Sequence, residues 1–250
     1  MPTKEKEIEN AFLEWQKENS IILSPRQAEA VKNLKYRISI VTGGPGTGKT
    51  TCLRAIMDVY HKVWPSEHIL LMAPTGLAAK RMAESTGMNS ATIHKACGLV
   101  PADNPSGFKA QGECRICGFV GIDEMSMVGE HLFAFAVDAV LNSPSTRIVL
   151  LGDTDQLAPV SRGDVLRDLI ECGVIKTVRL DVNYRQGSTS TITDASIKIR
   201  ENRAYSGMTR NLRFDDEFNF ISVTDPDEKT EADKIMKTIV EEYRKGVAQY

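Results

Sequence analysis

Gly43-Gly44-Pro45-Gly46-Thr47-Gly48-Lys49-Thr50 sets a lysine and a hydroxyl directly after a glycine-rich run, in the spacing G-x-x-x-x-G-K-[ST]. Glycines let a backbone fold closely around a phosphate, and the amides of the run and of a helix beginning there supply positive potential. Lys49 is placed to reach β- and γ-phosphates, and the Thr50 hydroxyl to ligate Mg²⁺. Chemistry on a triphosphate also needs an acidic element. Phe119-Val120-Gly121-Ile122-Asp123-Glu124 provides one, as an apolar run that ends in two carboxylates. Asp123 is the candidate Mg²⁺ partner, and Glu124 the candidate general base for an attacking water.

Both segments need a rigid frame. Ile38-Ser39-Ile40-Val41 reads as a strand leading straight into the glycine run. Similar short apolar runs recur at 69–72, 119–122, 148–151 and 178–180, with helical stretches between most of them. Strands alternating with helices predict an α/β fold with a mostly parallel sheet covered on both faces. Ile8, Phe12, Leu13 and Trp15 predict an amphipathic helix over 4–19. Ser24-Pro25-Arg26-Gln27 predicts a helix start with Ser24 as cap, Pro25 at the first position and Gln27 at the third. Gly98, Pro101, Pro105, Gly107 and Gly112 predict a surface loop or insertion over 98–115. Composition shifts near residue 182. Domains are therefore expected at 1–182 and 183–250, the second with helices near 189–202 and 228–245.

Composition narrows the class. Hydrophobic residues make up 42% and charged residues 26%, as in a globular chain with an ample core. No apolar run is long enough to span a membrane, and the charged N-terminus is unlike a secretory signal. Five cysteines argue against a disulfide scaffold, so a cytoplasmic location is expected. The formal net charge is −2, so any phosphate-tracking surface must be a local patch, with Lys80, Arg81 and Lys95 among its candidates. A solvated helix face explains Lys80 and Arg81 equally well. There is no Asn-Lys-x-Asp guanine-reading motif and no Leu-Ser-Gly-Gly-Gln signature, which argues against a GTPase and a transporter ATPase.

Six ordered segments resemble the motifs of superfamily 1 helicases. They are Leu23-Ser24-Pro25-Arg26-Gln27 (Q motif), Ala73-Pro74-Thr75-Gly76 with Lys80-Arg81 (motif Ia), Thr92-Ile93-His94-Lys95, Ile122-Asp123-Glu124-Met125-Ser126-Met127-Val128 (motif II), Leu151-Gly152-Asp153-Thr154-Asp155-Gln156-Leu157-Ala158-Pro159-Val160 (motif III) and Asn183-Tyr184-Arg185-Gln186 (motif IV). The match is best to the RecD-like branch, which includes exonuclease V alpha subunits and conjugative relaxase-helicases. It is dense over 20–190 and thin elsewhere.

The resemblance implies a RecA-like P-loop NTPase and part of a second RecA-like domain. It implies ATP hydrolysis with Mg²⁺, coupled to movement on single-stranded DNA in the 5′-to-3′ sense. Other subunits of a repair or conjugation complex are implied partners. Nucleotide binding would fall to Gln27, Gly44, Pro45, Gly46, Thr47, Gly48, Lys49, Thr50, Thr51 and Tyr184, the metal to Thr50 and Asp123, and catalysis to Lys49, Glu124, Gln156 and Arg185. Gln156 would sense the γ-phosphate, Arg185 would act as arginine finger, Gln27 would read adenine and Tyr184 would stack on it. A capping box with Ser24 explains Gln27 as well. Thr75, Thr92 and His94 would line the single-strand track.

The sequence departs from the family pattern at Leu77, where arginine is frequent, and at Ala158, where proline is frequent. No Ser-Gln-Gly or Thr-Arg-Ala-Arg-like run follows motif IV, so the expectation is a fragment of a longer helicase. The alternative is a nucleotide-binding module without autonomous motor activity. A small-molecule kinase shares the P-loop, but motif III and the Thr-Ile-His segment argue against it. His94-x-x-Cys97 and Cys114-x-x-Cys117 have zinc-like spacing. His94 already has an implied role, however, and Cys117 stands where an apolar residue is expected, so zinc is disfavoured.

Overall fold

The sheet forms because five apolar runs can each bury both faces. The computed structural model describes residues 2–103, 107–111, 117–140 and 145–182. The expected second domain at 183–250 lies outside the described residues. The elements run α1 (Pro2–Asn19), α2 (Pro25–Lys32), β1 (Ile38–Gly43), α3 (Lys49–Val63), β2 (Ile69–Ala73), α4 (Gly76–Thr86), β3 (Ser90–Thr92), α5 (Ile93–Ala96), β4 (Leu99–Pro101) and β5 (Phe108–Ala110). They continue with β6 (Phe119–Ile122), α6 (Glu130–Val140), β7 (Arg147–Gly152), α7 (Val165–Glu171) and β8 (Lys176–Leu180). Six strands form one sheet in the order β3-β2-β6-β7-β1-β8, and every pairing in it is parallel.

The two-residue period of the strands sorts side chains into two cores. Val41, Leu71, Phe119, Val149, Leu151 and Val178 pack with α1, α2 and α3 on one face. Ile40, Met72, Val120, Ile122, Ile148 and Leu150 pack with α5, α6 and α7 on the other. Burial of both faces explains why the strands read as continuous apolar runs rather than alternating ones. α3 is seated closely because Gly121 of β6 is small: a Cβ there would lie 2.9 Å from Leu71 Cδ2 and 3.4 Å from Leu53 Cδ1.

The N-terminal helices brace α3. Trp15 Nε1 donates to Asp58 Oδ2 at 2.8 Å, and Lys62–Glu18 and Lys32–Glu9 pair at 2.8 Å. α2 begins as its sequence predicts. Ser24 Oγ accepts from Gln27 N at 3.3 Å and Gln27 Oε1 accepts from Ser24 N at 3.1 Å, a complete capping box with Pro25 at the helix start.

Within the surface loop or insertion expected over 98–115, the structure places paired strands. Leu99–Pro101 and Phe108–Ala110 pair as an antiparallel ribbon, with Leu99 and Phe108 against the second core. β3 was likewise not expected; it adds a short parallel edge beside β2. No helix among the described residues is long and apolar enough to cross a membrane.

Ser24→Ala removes one half of the α2 capping box. Thermal or denaturant unfolding should show a loss of about 1 kcal/mol, and unchanged stability would show that the box contributes nothing.

Candidate active site

Pairing register brings the phosphate loop and the acidic pair to one edge. β1 and β6 flank β7 on opposite sides. Ile122, the last residue of β6, is level with Leu150 of β7, which is level with Ile40 of β1. β6 therefore ends three residues below Gly43, and Asp123 and Glu124 emerge beneath the level at which the β1 chain turns over into α3. Two strand spacings separate the segments, about 10 Å. Asp153, at the end of β7, emerges between them.

Glycine is required where the loop leaves the sheet. A Cβ on Gly43 would lie 2.6 Å from Leu180 O and 2.9 Å from Thr47 Oγ1. Gly48 caps α3 in the left-handed region at φ 83°, with no side-chain hydrogen bond to the first turn. Two helices that follow β2 and β3 differ: Thr75 Oγ1 accepts from Ala78 N at the start of α4, and Thr92 Oγ1 from Lys95 N at the start of α5, both at 3.2 Å. α3 thus starts without the acceptor that a capping side chain would offer its leading amides, as a phosphate-binding helix start requires. Lys49 Nζ lies over the loop, donating to Gly43 O at 2.7 Å and Gly44 O at 3.1 Å. Thr47 Oγ1 donates to Gly44 O at 2.8 Å, tightening the turn.

Gln27 is buried behind this loop. Its Nε2 donates to Thr47 O at 3.5 Å, and its main-chain carbonyl accepts from Cys52 Sγ at 3.8 Å. The residue ties α2 to both the loop and α3, a role that the capping-box reading only half captured. Burial pushes the Cys52 thiol up to about 12, so it is an inert packing group.

The acidic pair is fixed by hydrogen bonds. Asp123 N donates to Met72 O at 3.0 Å, and Asp123 Oδ1 accepts from Glu124 N at 2.8 Å. Burial pushes the Asp123 carboxyl above its ordinary value. The Glu124 amide bond opposes that shift, the Glu124 charge adds to it, and the Lys49 ammonium opposes it. Lys49 and Asp123 belong to segments that leave β1 and β6 at the same edge of the sheet. Glu124 adopts φ 53° and ψ 43°, a left-handed conformation that costs a non-glycine residue about 1–3 kcal/mol. It turns the chain sharply from β6 into the 3₁₀ turn Met125–Met127.

The segment after β7 is built by local bonds. Asp153 is 2% exposed, its Oδ1 accepts from Asp155 N at 3.0 Å, and its carbonyl accepts from Gln156 N at 3.2 Å. Arg179 of β8 donates to Asp155 Oδ2 at 3.3 Å. Gln156 itself is exposed, and its Oε1 accepts from Ser126 Oγ at 3.3 Å.

The structure therefore brings Lys49, Thr50, Asp123, Glu124, Gln156 and Gln27 to one region of the sheet edge. Thr75, two residues past β2, and Thr92, at the end of β3, cap α4 and α5 through their hydroxyls. The His94 ring packs edge-on against Phe108 of the ribbon at 5.3 Å. Tyr184 and Arg185 lie outside the described residues, as does Cys114. Cys97 and Cys117 are buried in the second core. Sequence reasoning missed Ser126, Asp153 and Asp155, whose polar types one to three residues from the motif carboxylates and glutamine were the available signal.

The donor set suits a magnesium–triphosphate: open helix amides and an ammonium for phosphate, and a hydroxyl with a buried carboxyl for a hard cation. Residues 22–224 match the family described as an AAA domain. The chain is similar to the ATP-dependent RecD2 DNA helicase of Deinococcus radiodurans, 36% identical over 176 residues that make up 70% of this chain and 23% of that protein. It is also similar to the RecBCD enzyme subunit RecD of Mycolicibacterium smegmatis, 35% identical over 187 residues, covering 66% of this chain and 33% of the relative. It thus spans a third or less of these relatives. Among solved structures, Pif1 helicase from Candida albicans shares 25% identity at a TM-score of 0.53, covering 78% of this chain and 50% of that one. Bacteroides Pif1 bound to ssDNA, at 20% identity, shares the fold with a TM-score of 0.54, covering 86% of this chain and 55% of that one.

Burial sets the pH sign for Asp123. Its folded-state value lies above the unfolded 3.8, so the folded chain keeps a proton that the unfolded chain has released. Stability falls as pH rises through that window, and the cost persists at neutral pH. Asp123→Asn keeps an oxygen for the Glu124 amide. In metal-free buffer it should raise the melting temperature by a few degrees near neutral pH, with the gain vanishing below about pH 4. A pH-independent fall in melting temperature would contradict this.

Proposed function

We propose that this chain, which belongs to the AAA-domain family and is a homologue of RecD helicases, is the ATP-hydrolysing motor core of a DNA helicase. The observation that carries this reading is the shared sheet edge, where the start of α3 with Lys49 and the Asp123–Glu124 pair emerge two strands apart.

In this reading the amides of residues 44–51 and the Lys49 ammonium hold the phosphate chain. Thr50 and Asp123 hold Mg²⁺, which when bound supplies positive charge to the phosphate oxygens. Glu124 orients the attacking water and accepts its proton. Its left-handed backbone turns the chain out of β6 at the site, and a fixed base position is worth more to catalysis than the strain it costs. Gln156 contacts the γ-phosphate, and Arg185 stabilises charge on the transferred phosphoryl group. Gln27 and Tyr184 hold the adenine.

Thr75, Thr92 and His94 belong to the same proposal as the single-strand track. Thr75 and Thr92 accept capping bonds through oxygen and keep a hydroxyl hydrogen to donate to phosphate. Family resemblance supports movement in the 5′-to-3′ sense, and the RecBCD subunit relatives support partner subunits of a repair complex. Binding to such a track should tolerate any base sequence and weaken with salt.

Lys49→Ala should abolish ATP hydrolysis by removing a phosphate contact. Glu124→Gln should retain ATP binding and lower turnover about a hundredfold or more. Steady-state ATPase assays with and without single-stranded DNA test both, and stimulation by DNA is expected of the unaltered chain. Normal turnover in Glu124→Gln would overturn the base assignment. Tight ATP binding without turnover in the unaltered chain would identify a nucleotide-binding module instead.

A further inference from the structure

Ser126 stands in the 3₁₀ turn that follows Glu124 and is 4% exposed. Its hydroxyl donates to Gln156 Oε1 at 3.3 Å across thirty residues of sequence. The two segments are joined again further along. Glu130 N donates to Arg162 O at 2.9 Å. A Cβ on Gly129 would collide with Ser161 Oγ and lie 2.8 Å from Arg162 O, so the backbones meet there without room for a side chain. The 124–130 segment and the 153–163 segment are therefore mated at two points, one through main chain and one through the Ser126 hydroxyl.

A carboxamide has one acceptor end and one donor end. With Oε1 engaged by Ser126, the Gln156 NH₂ is the end left to face outward, and an NH₂ is the end an anionic phosphoryl group requires. Ser126 is held in turn by the turn that Glu124 starts, since Met127 N donates to Glu124 O at 3.0 Å.

We propose that Ser126 is a positioning residue that orients the Gln156 carboxamide donor-outward and joins the γ-phosphate contact to the turn carrying the general base. The proposal rests on the reading of Gln156 given above. A γ-phosphoryl group bound at Gln156 then pulls on the same hydroxyl that anchors the Glu124 turn, so the triphosphate state and the placing of the base are set together. Ser126 touches neither nucleotide nor water in this account. It acts through Gln156.

The test uses the full chain and measures binding rather than turnover. With Mg²⁺ present, ADP and the β,γ-imido analogue of ATP are each titrated to displace a fluorescent ADP. The unaltered chain should prefer the triphosphate analogue. Gln156→Ala and Ser126→Ala should each lose about tenfold of that preference, with ADP affinity within twofold of the unaltered chain. The double variant should lose no more than either single one, because both changes remove the same contact. A merely structural role for Ser126 would change melting temperature and both nucleotides alike, not their ratio. If Gln156→Ala loses the preference while Ser126→Ala keeps it, or if the two losses add, the positioning role is overturned and the reading of Gln156 stands. If Gln156→Ala itself keeps the preference, that reading fails and the proposal falls with it.

Discussion

Parallel pairing of β1 and β6 to the two sides of β7 is the constraint on which the rest depends. Parallel strands deliver all their C-terminal ends to one edge. Segments eighty residues apart in sequence thereby emerge within two strand spacings of each other. The stagger matters as much as the order. Because β6 stops level with Ile40, its carboxylates sit below the turn that follows Gly43 rather than beside it. A one-residue slip would move every buried side chain to the wrong face of the sheet, so the two cores lock the stagger in place.

The same edge concentrates features that work against stability. Asp123 is desolvated, Glu124 adopts a left-handed backbone, and α3 begins without a capping side chain. A chain selected for stability alone would cap the helix, place glycine at 124 and bury no carboxyl. Each deviation is intelligible as preparation for a charged ligand. In the proposed reading the leading amides of α3 meet phosphate, the buried acid meets a cation, and the sharp turn places the base. The surrounding scaffold offsets these costs through the two buried cores, the α2 capping box and the Trp15–Asp58 bond that braces α3.

Much of this was legible in the sequence, because the dominant elements are long or strongly marked. The five apolar runs became β1, β2, β6, β7 and β8, with ends displaced by one or two residues. Ser24-x-x-Gln27 and the glycine run behaved as local chemistry dictates. What escaped was short or tertiary. Ser90-Ala91-Thr92 carries no apolar signal and is a strand only because β2 offers it an edge. The ribbon at 99–110 is interrupted by Pro101 and Gly107, which read as loop, and it holds because Leu99 and Phe108 reach the second core. No local pattern predicts that Glu124 turns left-handed, or that the Ser126 hydroxyl meets Gln156. Both follow from how β6 and β7 lie side by side. The hydroxyls of Thr75 and Thr92, singled out for a ligand, have a local backbone task as well.

The most direct measurement is the location of a bound metal in crystals of this chain grown with Mg²⁺ and a non-hydrolysable ATP analogue. The account predicts the triphosphate wrapped by the amides of residues 44–51, and the ion about 2.1 Å from Thr50 Oγ1 with a coordinated water on the Asp123 carboxylate. A triphosphate seated away from that loop, or an ion that neither Thr50 nor Asp123 approaches, would contradict it.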